Sequence, residues 1–148
     1  MSVLRDHVRG NDATRARLAE LVARASDVDL GRPMPDGWTV AAVLLHCAFW
    51  DERIVVLLDR WQREGVRPPL EEEDDVRWIN DSAKPLMLAM PPRRAAELAL
   101  EIAERSDRAV AALSEEFLTT NTVSEYLNLS RADHRSEHLD DIERVLGT

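Results

Sequence analysis

One lysine and one cysteine occur in a chain of 148 residues, and each scarcity excludes something. Lys84 is the only lysine among 19 basic residues, which face 28 acidic ones for a net charge of −9. The pI is about 4.9. No basic stripe is available for a phosphate backbone, so nucleic acid is not an expected partner. Nor does any Lys/Arg run suggest an anionic membrane surface. With Cys47 alone, no intramolecular disulfide can form, and a reducing cytoplasm is the expected location. Glycine is scarce, at 5 residues, and β-branched residues rarely alternate with polar ones. No strand and no internal repeat is therefore expected. The longest apolar run, Val40 to Trp50, is interrupted by His46 and followed by Asp51 and Glu52. A bilayer needs about 20 apolar residues. Met1 to Arg15 is polar and charged, without the apolar segment of a signal peptide. No Gly-rich phosphate loop, G-x-S-x-G elbow or C-x-x-C pair is present.

What remains is helical. Hydrophobic residues make up 45% and charged residues 32%, the balance of a soluble globular domain, and the length suits one domain over 1–148. A first helix is expected from about Val3 to Ala25, with Gly10 and Asn11 weakening its apolar stripe, then a loop from Ser26 to Gly37. Thr39 reads as the N-cap of a second helix, with Trp38 and Val43 as a hydrophobic staple and Gly65 as the stop. Its apolar seam is Val43, His46, Trp50, Ile54, Leu57 and Trp61. A long crossover follows, Val66 to Met90. It holds a short helix from about Asp74 to Ala83, ended by Pro85 and pinned to the bundle by Trp78 and Ile79. A third helix runs from Pro92 to about Phe117, with Leu98, Ile102, Ala109, Leu113 and Phe117 inward. A capping box, Thr122 with Glu125, opens a fourth that continues to Leu146, with Leu127, His134, His138, Ile142 and Leu146 inward. The fold class is all-α, a four-helix bundle with a long connection between the second and third helices.

Three of the four histidines fall on bundle-facing positions. His134 and His138 are one turn apart on a single helix face, and His46 sits on the core face of another helix. Each histidine taken singly reads best as a hydrogen-bonded core residue, and an H-x-x-x-H pair is common by chance. Together they can form a three-imidazole site for a divalent metal, zinc first, with nickel or iron also compatible. Three protein ligands leave a coordination position open, as in catalytic zinc sites. His7 reads as structural or exposed. Cys47 is turned about 100° from His46 and reads as a small core residue. His134 to His138 also spells H-x-x-E-H, a metalloprotease pattern, but Glu137 is offset from the histidine row and no downstream ligand follows. Glu137 stays a candidate partner behind the ligating imidazoles, with Asp133 and Asp141 weaker ones.

Two stretches carry a resemblance. Gly37-Trp38-Thr39-Val40-Ala41-Ala42-Val43-Leu44-Leu45-His46 is similar to the W-[ST]-V-x-x-V-L-x-H opening of the second helix in the DinB/YfiT-like superfamily. His134-Arg135-Ser136-Glu137-His138-Leu139-Asp140-Asp141-Ile142 is similar to its H-x-x-x-H-L-x-x-I ending. Asn80 resembles an asparagine of the crossover in the subgroup related to mycothiol-dependent maleylpyruvate isomerase. Cys47 departs from the leucine usual there. The resemblance covers nearly the whole chain. It implies a bundle of variant up-and-down topology, a metal site on His46, His134 and His138, and a homodimer. Members of the superfamily include thiol S-transferases using bacillithiol or mycothiol and a glutathione- or mycothiol-dependent maleylpyruvate isomerase.

Three functions stay open at this level. A metal-dependent transferase or isomerase would use a low-molecular-weight thiol, with Arg131 or Arg135 meeting a carboxylate of cofactor or substrate. A metal-dependent hydrolase would need a base, for which Glu137 is the nearest offer. A non-catalytic bundle, binding a small molecule or acting in stress-linked interactions, would carry the metal site as a vestige.

Overall fold

A computed structural model describes residues 2–147, and among these there are seven α-helices and no strand. They are α1 (Val3–Arg24), α2 (Asp27–Leu30), α3 (Val40–Glu64), α4 (Glu73–Ala89), α5 (Pro92–Ala111), α6 (Glu115–Asn121) and α7 (Ala132–Leu146). Helices α1, α5, α3 and α7 pack in a ring in that order. The first long helix therefore neighbours the third and fourth, and lies diagonal to the second. This is the crossed connectivity expected of the bundle. Helix α4 lies outside the ring against α3. None of the helices is long and apolar enough to cross a membrane.

Helix α3 starts and stops as its sequence specifies. Ala42 N–H donates to Thr39 Oγ1 at 3.1 Å. Gly65, at φ 70°, takes the left-handed C-cap conformation and returns its N–H to the Trp61 carbonyl. Elsewhere the boundaries differ. The expected loop after α1 contains the single turn α2, closed by a Ser26–Asp29 capping box. The crossover helix runs to Ala89, through Pro85. Asp81 and Pro85 are both exposed, so the carbonyl that Pro85 leaves unbonded lies on the solvent side. Trp78 does not pin α4 to the bundle: it is 58% exposed and donates to Asp75. The third helix breaks at Ala112 and Leu113, where Ser114 caps the separate helix α6 by accepting from Phe117 N–H. Thr122 is not an α-helical N-cap but a left-handed residue, φ 47°, ending α6. Helix α7 begins only at Ala132 because Leu127 and Leu129 are both buried. Residues two apart cannot share one face of a helix. Asn128 Oδ1 holds the intervening turn through Ser130 N–H.

The interior is divided. One apolar cluster gathers Leu21, Leu44, Ala103 and Leu139, and a second gathers Leu4, Leu58, Val110 and Leu127. Between them every helix of the ring contributes polar side chains: Asn11 and Thr14 from α1, Asp51 from α3, Ser106 and Asp107 from α5, and Arg135 from α7. Arg135 is 1% exposed and Asp51 is 2% exposed. Its fork reaches Asp51 Oδ2 from Nε and Nη2 at 3.2 and 3.1 Å. It reaches Asp107 from Nη2 and Nη1 at 2.7 and 2.9 Å. Burial alone would lower the Arg135 pKa, but the hydrogen bonds and charges of Asp107 and Asp51 outweigh that and raise it. Asn11 completes the layer. Its Oδ1 accepts from Arg131 N–H at 2.7 Å and Ala132 N–H at 3.1 Å, so α1 caps the start of α7. The helices are close at Gly10, where a Cβ would stand 3.4 Å from Ala132 Cβ, at the tight edge of ordinary contact.

A buried charge left without its partner costs about 3–5 kcal/mol. Asp51→Ala should therefore lower the unfolding free energy by about that amount in a urea titration. Asp59→Ala, in an exposed pair with Arg63 on the same helix, should leave the midpoint in place.

Candidate metal centre

Helices α3 and α7 meet along one edge of the ring, and the three histidines lie there. Of the expected α3 seam, Val43, Ile54 and Trp61 are buried, whereas His46, Trp50 and Leu57 are only half-buried, and Leu44, Asp51 and Leu58 form a second buried row beside it. In α7, Ile142 is buried as expected, together with Arg135 and Leu139, and His134 and His138 are half-buried. The imidazoles thus stand beside the core, between it and the surface.

His46 Nε2 and His134 Nε2 are 3.1 Å apart, and His138 Nε2 is 3.2 Å from His134 Nε2. All three ligand nitrogens fall within 4.8 Å of one another. A tetrahedral zinc with Zn–N of about 2.05 Å holds its nitrogens about 3.3 Å apart, so the two short separations suit one ion. The rings are also held neutral, as metal ligands must be. Burial pushes His46 down to about 4, with the charge of His138 adding to the effect. Burial, then the charges of His138 and His46, push His134 down to about 3. His138 is lowered by burial, against the opposing charges of Glu137 and Asp141.

The support behind the ligands differs from expectation. Glu137 is exposed and hydrogen-bonds none of the three rings. The Nδ1 atoms of His46 and His134 are buried without a hydrogen-bond partner. Packing orients His46 instead, with the Trp38 ring edge-on at 5.7 Å between centroids. Cys47 is buried and free, its thiol pushed up by burial and by Asp51, so it is not an available thiolate. Arg135, read from sequence as a possible carboxylate partner for a ligand, has its guanidinium committed to Asp51 and Asp107. The polar layer of Asn11, Asp51 and Asp107 was not read from sequence. The signal was present: Asp51 stands midway between Leu44 and Leu58, seven residues from each.

Two clefts reach the cluster. The larger, about 520 Å³, touches His46 and His138 between walls of Met34, Trp38, Val43 and Val145, with Asp36, Asp81 and Asp141 among its polar residues. The smaller, about 300 Å³, touches His46 and His134 and includes Trp50, Asn80 and Arg131. Asn80 lines both, and its Oδ1 accepts from Trp50 Nε1–H at 2.8 Å.

These features define a helical protein with a three-histidine cluster able to hold a metal ion. Residues 11–136 match the model of the DinB superfamily, and the chain belongs to that superfamily. The match includes His46 and His134 and ends two residues before His138. No curated protein and no solved structure matches the chain.

The low imidazole pKa values fix a sign for pH dependence. Unfolded histidine titrates near 6.5, so below that pH the unfolded chain binds protons that folded His46 and His134 refuse. The stability of the metal-free protein should be full above 6.5 and fall as the pH drops toward 4. Thermal melts from about pH 7 to about pH 5 check this. The decline should be shallower in the His46→Leu, His134→Leu double variant; equal slopes would contradict the burial argument.

Proposed function

We propose that the protein binds one divalent metal ion through His46, His134 and His138 and acts as a metal-dependent transferase or isomerase using a low-molecular-weight thiol. The observation that carries this reading is the convergence of three neutral imidazoles, with His46 and His138 bordering an open cleft of about 520 Å³ and His46 and His134 bordering a second of about 300 Å³. Zinc suits three imidazoles best, with nickel or iron also acceptable. Held by His46, His134 and His138, such an ion would supply a Lewis acid able to lower the pKa of a thiol at the open position.

The chain's own residues supply the rest. Burial keeps the imidazole lone pairs free of protons. Trp38, Val43 and Met34 form an apolar wall that excludes water from one side of the cleft. Asn80, fixed by Trp50, stands at the junction of both clefts, where it can orient a reactant entering from either. A cytoplasmic location supplies the thiol pool and agrees with the single reduced cysteine.

The alternatives have less support. Hydrolysis needs a carboxylate base beside the reacting water, and Glu137 is exposed and hydrogen-bonds none of the rings. Asp141 borders the cleft but is paired with Arg144 at 2.8 Å. A non-catalytic bundle with a vestigial site would favour a closed, dry core around the histidines, whereas two clefts open onto them.

Elemental analysis of the purified protein tests the first part. About one divalent ion per chain is expected in the wild type and a strong loss in His134→Ala. Loaded protein should then join a thiol to an electrophile such as a chlorodinitrobenzene, and His46→Ala should not. Absence of metal after incubation with Zn²⁺ and Ni²⁺ would overturn the reading, and thiol-independent turnover would favour hydrolysis.

A further inference from the structure

We propose that the smaller cleft is an anion subsite, in which Arg131, backed by Asn128 and Asn80, holds the carboxylate of a reactant whose other end reaches the three-histidine cluster. This rests on the metal-dependent reading above and adds to it a second binding site with its own chemistry.

Arg131 is the residue that carries the argument. It is 5% exposed, yet it lines the cleft. Its Nε donates to Asp51 Oδ1 at 2.8 Å and its Nη1 to the Asn128 carbonyl at 3.1 Å. The Nη2 amino group has no acceptor among the described residues. Arg135, one turn away, differs in having every arm of its fork committed. A guanidinium held rigidly by two protein acceptors, with its remaining donors at a cleft, is prepared for a ligand oxyanion.

Charge points the same way. Arg131 is also the N-cap residue of α7, a 15-residue helix, and so stands at the positive end of its dipole. The acid of that first turn, Asp133, is exposed to solvent, and no acidic residue lines the smaller cleft. The larger cleft carries three acids, Asp36, Asp81 and Asp141, against two arginines, Arg77 and Arg144, both already ion-paired. An anionic group is therefore favoured in the smaller cleft, where Arg131 is the one Arg, Lys, Asp or Glu of the lining. His46 borders both clefts, so two reactants can reach the cluster through separate openings, as a group transfer requires.

The test compares 3-mercaptopropionate and thioglycolate with the neutral 2-mercaptoethanol on Zn²⁺-loaded protein, read by quenching of tryptophan emission. Trp50 is the reporter in the smaller cleft, and Trp50→Phe should remove most of the signal. The carboxylated thiols should bind on the order of tenfold more tightly. That preference should vanish in Arg131→Gln. Because Arg131→Gln also disturbs Asp51, Val76→Glu serves as a second variant. It places a carboxylate on the cleft wall away from the buried layer, and should lose the preference while keeping its metal. Equal affinity in the wild type, or a preference that survives Val76→Glu, would overturn the subsite. Should the protein take up no metal, acetate added to the metal-free protein separates the two readings. Quenching of Trp50 that Val76→Glu abolishes supports the subsite even though the metal reading has failed; no quenching overturns the subsite.

Discussion

The Arg135 guanidinium, clamped between Asp51 of α3 and Asp107 of α5, is the interaction on which the rest of the structure depends. It crosses the bundle at its middle and fixes the rotation of α7 about its own axis. A helix held only by leucine and isoleucine could turn by one residue position at modest cost, because apolar contacts are not directional. A bidentate ion pair in the interior allows no such freedom. Turning α7 to place His134 and His138 in the core would pull Arg135 out of the clamp and take from Asp51 and Asp107 the arginine they share. The imidazoles therefore stay at the edge, where they meet His46 and remain reachable from the clefts.

The polar layer also explains why residues that look unfavourable in α1 are tolerated. Gly10 and Asn11 interrupt the apolar stripe of that helix. The start of α7 packs against them, and the Asn11 side chain supplies the acceptor that its first N–H groups lack. Helix α7 needs this help because Arg131, its N-cap residue, offers no side-chain cap of its own. The position of the site thus traces to α1, which contributes no ligand.

Much of the design was legible before any coordinates. Thr39 and Gly65 bound α3 because both signals are local: a hydroxyl beside a free N–H, and a glycine where φ turns positive. The i, i+4 spacing of His134 and His138 is equally local. Less legible were the boundaries decided by competition. Ser114 interrupts the third helix because its side chain caps a new one, and Thr122 with Glu125 matches a capping box although the backbone there turns left-handed. Pro85 was read as a stop, but α4 packs on one side only and leaves the proline facing solvent.

The sequence by itself determined that the chain is helical, where its clearest helix begins and ends, and that His134 and His138 share one helix face. Those properties depend on residues within a turn or two of one another. Tertiary structure alone decided that His46 stands beside the other two, that Arg135 serves the core while Arg131 borders a cleft, and that Glu137 supports no ligand. Neighbouring positions on a helix differ by about 100°. Which of them faces inward is set by the partners across the bundle, here two aspartates on two other helices.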